Sequence, residues 1–93
     1  MKSGTTEAFW EFFDRLPPRV KSQARRAYQT FATNPSHPGL QFKKIHASRE
    51  IYSVRITRNY RALGILDGGQ ITWFWIGSHA DYAQMLRDSR RRN

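Results

Sequence analysis

The 93-residue sequence has no cysteine, only seven acidic residues and no long apolar run. Without cysteine there is neither a disulfide framework nor a thiolate metal site. No stretch approaches the roughly 20 apolar residues that a membrane-spanning helix needs. The first twenty residues also lack the basic start, apolar run and small-residue cleavage site of a signal peptide. We therefore expect a soluble cytoplasmic protein.

The shortage of acidic residues leaves the chain strongly basic. Sixteen Lys and Arg against seven Asp and Glu give a net charge of +9 and a pI near 10.9. Between Arg15 and Arg61, Glu50 is the one acidic residue. Such a skew favours a polyanionic partner, because binding releases condensed counterions. The alternative is that the charge serves solubility and an acidic protein partner.

The hydrophobic content of 39% and the aromatic content of 14% suffice for a packed interior. At this length we expect one domain over residues 1–93, with residues 1–5 and 88–93 as loose tails.

Two helices are predicted at the start of the chain. Thr6 can cap the first helix, whose apolar residues recur at three- and four-residue spacing from Phe9 to Leu16. Pro17-Pro18 ends this helix and can begin a second one. The apolar stripe of the second helix comprises Val20, Ala24, Ala27, Tyr28 and Phe31. A tight turn between the two predicts an antiparallel helical hairpin.

Four strands and a closing helix follow a turn-rich linker over residues 34–39. The strands are predicted over residues 40–45, 51–57, 60–66 and 71–76, and the last three are consecutive antiparallel neighbours because short hairpin turns join them. The fourth strand is apolar on both faces and is therefore central. Ser78, followed by Asp81, predicts a cap for a short helix from His79 to about Arg87. The fold class is α+β, with the helical hairpin packed on a four-stranded, mainly antiparallel, twisted sheet.

Four residues in the second half of the chain could carry out chemistry on RNA. Cleavage without a metal needs a base for the ribose 2′-hydroxyl, an acid for the departing 5′-oxygen, and cations for the phosphate. Histidine exchanges protons near neutral pH, and Tyr82 lies on the same helical face as His79. Arg55 and Arg61 lie on adjacent strands and could bind one phosphate. The alternatives are a capping or surface role for His79, a core role for Tyr82, and ion pairing of the arginines with a protein partner.

The sequence predicts neither a metal site nor a cofactor. The three histidines, His37, His46 and His79, share no metal-ligand spacing and come without a carboxylate cluster. The glycine pair Gly68-Gly69 belongs to a hairpin turn and not to a phosphate-binding loop.

Two segments resemble the RelE/ParE superfamily of type II toxin-antitoxin toxins. They are YSVRITRNYRA, at residues 52–62, and WIGSHADY, at residues 75–82. The resemblance extends from about Glu7 to Leu86. It implies two helices on one face of a mainly antiparallel sheet, with the first strand pairing in parallel with a later one.

For function, the resemblance implies a RelE-like mRNA interferase that cuts ribosome-bound mRNA without metal and that a cognate antitoxin neutralises. Carried over by position, Arg61 would stabilise the phosphate with help from Arg55, and His79 and Tyr82 would act as acid, base or orienting groups. The basic residues Lys43, Lys44 and Arg58 would contact RNA or ribosome.

The sequence departs from the family pattern in one respect and leaves two other functions open. The strands contain no obvious carboxylate base, since Glu50 precedes the second strand, and the His-x-x-Tyr ending matches one subset of the family. ParE-like relatives inhibit DNA gyrase with the same fold, so the fold does not fix the target. A non-catalytic RNA- or ribosome-binding module is the other alternative. Oligomeric state is not fixed by the sequence.

Overall fold

The computed structural model describes residues 1–91 of the chain as three helices, a short 3-10 helix and one five-stranded sheet. In chain order, the elements are β1 (Lys2–Thr5), α1 (Glu7–Asp14), α2 (Pro18–Thr33), the 3-10 helix (Pro38–Leu40), β2 (Lys43–Lys44), β3 (Ile51–Arg55), β4 (Tyr60–Asp67), β5 (Gln70–Ser78) and α3 (His79–Arg91). This is the predicted α+β class, with one strand more than predicted.

The helical hairpin forms as its sequence predicts. The Thr6 hydroxyl accepts a hydrogen bond from the Phe9 backbone N–H at 3.2 Å, so Thr6 caps α1. Pro18 is the first residue of α2, where its missing N–H costs no helical hydrogen bond. The cationic groups of Lys21 and Arg25 lie 5.9 and 5.2 Å from the centre of the Phe13 ring, which joins α2 to α1.

The strand order in the sheet is β1-β5-β4-β3-β2. Strands β2 to β5 pair antiparallel in sequence, which confirms the predicted neighbours, and β5 is an interior strand between β1 and β4. Strand β1 pairs in parallel with β5, from Lys2 opposite Gln70 to Thr5 opposite Trp73. The prediction that residues 1–5 form a loose tail is therefore wrong. The segment is tied down by backbone hydrogen bonds to a strand far away in sequence.

The strand predicted over residues 40–45 is reduced to Lys43–Lys44. Leu40 belongs to the 3-10 helix, and Gln41 caps that helix in the left-handed region at φ 46°, which no extended strand allows. Strand β2 pairs antiparallel with β3. The implied parallel pairing of this first predicted strand is thus wrong, and the parallel pair in the sheet is β1 with β5.

The main core lies between the two N-terminal helices and one face of the sheet. Phe31, Ile71 and Ile76 are at most 2% exposed, and Ala62 and Trp73 are also buried in this cluster. Residues that pair directly across neighbouring strands share a face, so the rows Ser53–Leu63–Trp75 and Arg55–Arg61–Gly77 lie together on the other side of the sheet. This second side is called here the site face. It is defined by Ser53, Arg55, Arg61, Leu63, Trp75 and Gly77.

The last helix, α3, is longer than predicted. The Ser78 hydroxyl accepts a hydrogen bond from the Asp81 backbone N–H at 3.1 Å, which confirms Ser78 as the cap of α3. The helix continues to Arg91, so residues 88–91 are helical and are not the predicted loose tail. Residues 92 and 93 of that predicted tail lie outside the described residues. None of the helices within residues 1–91 has the length and hydropathy to cross a bilayer.

Candidate active site

Three strands bring the predicted residues to one end of the sheet. Arg55 on β3 lies directly opposite Arg61 on β4, and Arg61 lies opposite Gly77 on β5. The turn that joins β3 to β4 is fixed to the start of α3, because the His79 backbone N–H donates a 2.7 Å hydrogen bond to the Asn59 carbonyl oxygen. Two arginines and the N-terminus of α3 therefore lie at the same end.

The side chain of Arg61 is held against α3 by an aromatic ring. Its guanidinium carbon lies 5.1 Å from the centre of the Tyr82 ring, within the range of a cation–π contact. The Tyr82 ring also lies 6.2 Å from the Trp75 ring and 6.3 Å from the His79 ring, measured between ring centres. Arg61 and Tyr82 are half-buried, whereas His79 is exposed. The structure therefore brings Arg61, His79 and Tyr82 together.

The two arginines place two positive charges opposite each other on neighbouring strands. Among residues 1–88, a single ion pair has a nitrogen–oxygen distance within 4 Å, between Nζ of Lys44 and Oε1 of Glu50 at 3.1 Å. Neither Arg55 nor Arg61 therefore has a carboxylate partner in this part of the chain. Like charges directly opposite each other on adjacent strands destabilise a sheet. An anion bound between the two guanidinium groups would relieve this repulsion and accept several hydrogen bonds.

The predicted basic contacts divide between the two faces of the sheet. Lys43 lies opposite Ser53 and shares the site face, whereas Lys44 lies opposite Tyr52, which packs against the main core. Lys44 also binds Glu50, so this glutamate is directed away from the arginine pair. Arg58 is exposed in the turn between β3 and β4, beside Asn59 and the start of α3.

Two residues that were not predicted as part of the site support it. Trp75 is 6% exposed, and its ring contacts that of Tyr82. Gly77 leaves room for this ring, since a Cβ atom at residue 77 would lie 2.7 Å from Cζ2 of Trp75. The sequence signal for this arrangement is a glycine two residues after a large aromatic on the same strand face.

The remaining histidines serve local turns. Nδ1 of His37 accepts a hydrogen bond from the Gly39 backbone N–H, and Nδ1 of His46 accepts from the N–H groups of Ser48 and Arg49. Over the described part of the chain, no three His, Asp or Glu side chains are grouped as a metal site would require.

The sequence profile of the ParE-like toxin domain matches residues 18–84, which is more than half of the chain. The chain belongs to this family. The match places it in the RelE/ParE superfamily of toxins and confirms the resemblance in the two segments at residues 52–62 and 75–82. No curated protein matches the chain at a significant level.

Solved toxins share the fold of this ParE-like chain at low sequence identity. The toxin-antitoxin complex RelB-RelE from Methanococcus jannaschii matches with a TM-score of 0.74 and 16% identity, over 88% of this chain and 96% of that one. YafQ from E. coli strain BL21(DE3) matches with a TM-score of 0.71 and 10% identity, over 87% and 96%. The YoeB/ParE toxin from Agrobacterium tumefaciens matches with a TM-score of 0.65 and 19% identity, over 85% and 99%.

Proposed function

We propose that this ParE-like protein is the toxin of a toxin-antitoxin pair and that it cleaves mRNA on the ribosome by attack of the ribose 2′-hydroxyl, without a metal. The observation that carries the proposal is the arginine pair. Arg55 and Arg61 lie directly opposite each other on the site face and have no carboxylate partner within 4 Å among residues 1–88, and Arg61 is stacked on Tyr82, next to His79 in the first turn of α3. A phosphodiester fits such a site because its charge is complementary and its oxygens accept from both guanidinium groups.

The reaction needs two proton transfers and stabilisation of a doubly charged phosphorane-like transition state. The 2′-oxygen bonds to phosphorus as its proton passes to a base, and the bond from phosphorus to the 5′-oxygen breaks as an acid protonates that oxygen. The products are a 2′,3′-cyclic phosphate and a 5′-hydroxyl. We assign phosphate stabilisation to Arg61 and Arg55, and proton transfer to His79 and Tyr82, whose ring centres are 6.3 Å apart.

The partner proposed for this toxin is a cognate antitoxin. Several of the solved relatives are described as toxin-antitoxin complexes, among them RelB-RelE from Methanococcus jannaschii and DinJ-YafQ from E. coli. Their likeness to this chain supports a protein that binds and neutralises it. Lys43 and Arg58, on or beside the site face, are proposed to contact RNA or ribosome, whereas the charge of Lys44 is engaged by Glu50.

A translation extract programmed with one defined message tests the proposal, with cut sites mapped by primer extension. We expect cuts that require translating ribosomes. Loss of a general acid or base costs roughly 10²- to 10⁴-fold, so His79→Ala should lower cleavage to that extent. Arg61→Gln should lower it by about 10²- to 10³-fold. Arg26→Gln, which removes one exposed charge from α2, is the matched control and should leave cleavage unchanged.

Other outcomes would support the alternatives. An extract that keeps translating an intact message, while a supercoiling assay shows inhibited DNA gyrase, would replace this proposal with gyrase inhibition. Binding to ribosomes without any cut product, at an affinity that His79→Ala does not alter, would indicate a non-catalytic module. Cuts that persist in the His79→Ala variant would leave the nuclease in place and move the proton transfers to Tyr82 or the arginines.

A further inference from the structure

A cavity lies beside the end of the sheet that carries the arginine pair, since its lining includes Gly77, the residue opposite Arg61. It occupies about 460 Å³, within the range of roughly 300–1,000 Å³ that is common for small-molecule sites. It lies between the end of α1, the end of β5 and the first turn of α3. Its walls include Phe12, Arg15, Tyr60, Trp75 and Asp81.

The walls of this cavity combine aromatic rings with two opposite charges. The guanidinium carbon of Arg15 lies 5.7 Å from the centre of the Phe12 ring, and the Phe12 ring lies 6.2 Å from that of Trp75. The carboxylate of Asp81 lies in the first turn of α3. Although Arg15 and Asp81 line the same cavity, they form no ion pair within 4 Å. Neither charge is therefore paired with the other, and both remain available to a molecule in the cavity.

The cavity is connected to the arginine pair through one side chain. Trp75 lines the cavity, and its ring also contacts Tyr82, on which Arg61 is stacked. The backbone forms a second link, since Tyr60 lies opposite Ser78 one residue beyond the Arg61–Gly77 pair. When the arginines bind the phosphate of a nucleotide, the aromatic cavity therefore lies close to that nucleotide.

We propose that this cavity binds a guanine base of the RNA, with Arg15 and Asp81 reading its two edges and the aromatic rings stacking on it. Unstacked RNA bases are recognised in this way, by stacking on aromatic side chains and hydrogen bonds to their edges. Guanine matches the charges best. Its O6 and N7 form a pair of acceptors for the forked guanidinium, and its N1–H and N2–H groups form a pair of donors for the two carboxylate oxygens.

The other three bases match less well. Adenine has a single amino group beside ring acceptors, and cytosine offers one amino group to the carboxylate. Uracil has a single N–H donor. Each of them leaves Arg15 or Asp81 with a hydrogen-bonding group that has no partner on the base, which lowers affinity relative to guanine. The guanine site rests on the proposed nuclease function, which makes RNA the substrate. It adds to that function a preference for one base.

Binding of short RNAs tests this directly and does not require cleavage. We would measure, by calorimetry, binding of the full chain to four pentanucleotides that differ only in the central base and carry 2′-O-methyl groups, which block the attacking hydroxyl. We expect the guanine oligonucleotide to bind about tenfold more tightly than the other three, as a good two-bond contact to a base predicts. Equal affinity for all four would overturn the inference.

Two substitutions at the cavity sharpen the test. Asp81→Asn keeps the shape but turns an acceptor into a donor, and Arg15→Lys keeps the charge but loses the fork. Each should lower the guanine preference to within about twofold. Glu11→Gln and Arg19→Lys make the same exchanges at exposed residues outside the cavity and should retain the preference. A guanine preference that survives both Asp81→Asn and Arg15→Lys would place base recognition elsewhere.

The same variants separate failure of this inference from failure of the proposed function. If the protein cuts message in the extract with no guanine near the cut sites and binds the four oligonucleotides equally, the nuclease function stands and the guanine site is refuted. If the protein cuts nothing but still binds the guanine oligonucleotide through Asp81 and Arg15, the guanine site stands and the nuclease function is refuted.

Discussion

The contact between Gly77 and Trp75 allows a quantitative prediction for Gly77→Ala. The new Cβ would lie 2.7 Å from Cζ2 and 2.9 Å from Cη2 of Trp75. The ring would have to shift to accept the methyl group, and although it borders the cavity, it is 6% exposed and a shift disturbs its contacts with the rings of Phe12 and Tyr82. Overpacking of this kind costs about 1–3 kcal/mol. Replacing glycine by alanine at a φ that alanine tolerates also raises the free energy of unfolding by about 0.4–1 kcal/mol, because alanine lowers the conformational entropy of the unfolded chain.

We therefore expect Gly77→Ala to lower the free energy of unfolding by roughly 1–2 kcal/mol. For a domain of this size, each kcal/mol lowers Tm by about 4–8 °C. Thermal and urea unfolding followed by circular dichroism measure both quantities. Gly4→Ala is the matched control on β1, where the nearest atom is Nε2 of the flexible Gln70 side chain at 3.3 Å. Its effect should stay within about 0.5 kcal/mol.

A double-mutant cycle isolates the contact itself. Trp75→Phe removes Cζ2 and Cη2, the two atoms closest to the new methyl group, so Gly77→Ala should cost less in the Trp75→Phe background. We expect the double variant to be about 0.5–3 kcal/mol more stable than the sum of the two single effects predicts. Additive effects, or a Gly77→Ala variant as stable as the wild type, would refute the view that Gly77 is required to make room for this ring.

Three further predictions concern the cap, the basic residues and the arginine pair. Thr6→Ala should lower the free energy of unfolding by about 1 kcal/mol in urea, since it removes the cap of α1; an unchanged midpoint would contradict this. Lys43→Gln should reduce the slope of log K against log salt for RNA binding by about one, and Lys44→Gln should not, because Lys44 lies off the site face. Equal slopes in the two variants would contradict the assignment. Arg55→Gln should raise the free energy of unfolding by about 0.2–1 kcal/mol while lowering cleavage, because it removes a like charge opposite Arg61. A variant with lower stability would indicate that Arg55 serves the fold.

The elements that could be predicted from the sequence are those with local causes. The helix cap at Thr6, the proline break before α2 and the Asp67-Gly68-Gly69 turn are each encoded within a few residues, and each is present. The two-residue period of β4 also accounts for the side of the sheet on which Arg61 lies. Ala62 is buried in the main core and Arg61 is not, as the two-residue period requires.

Several features that the sequence did not predict depend on distant parts of the chain. Residues 2–5, with the sequence KSGT, have little strand preference, and they form β1 because β5 offers them an edge. The ladder between β4 and β5 shifts register between Leu63 and Gly64, so the pairing partners of the two strands do not follow from counting residues. The cavity between Arg15 and Asp81 likewise joins α1 to α3, residues that no local pattern connects.

The distribution of acidic residues bears on function more than the fold does, since this fold is compatible with more than one target. A sheet selected for stability alone would pair Arg55 or Arg61 with one of the seven acidic residues. Instead, the ion pair that the structure shows within residues 1–88 joins Lys44 to Glu50 on the other face, and Asp81 faces the cavity beyond the arginines. Among those residues the site face thus retains two guanidinium groups without a carboxylate partner within 4 Å, and one of them, that of Arg61, is stacked on Tyr82. A chain tolerates that repulsion most readily when an anion neutralises it in the functional state, and the phosphate of a bound RNA meets this requirement.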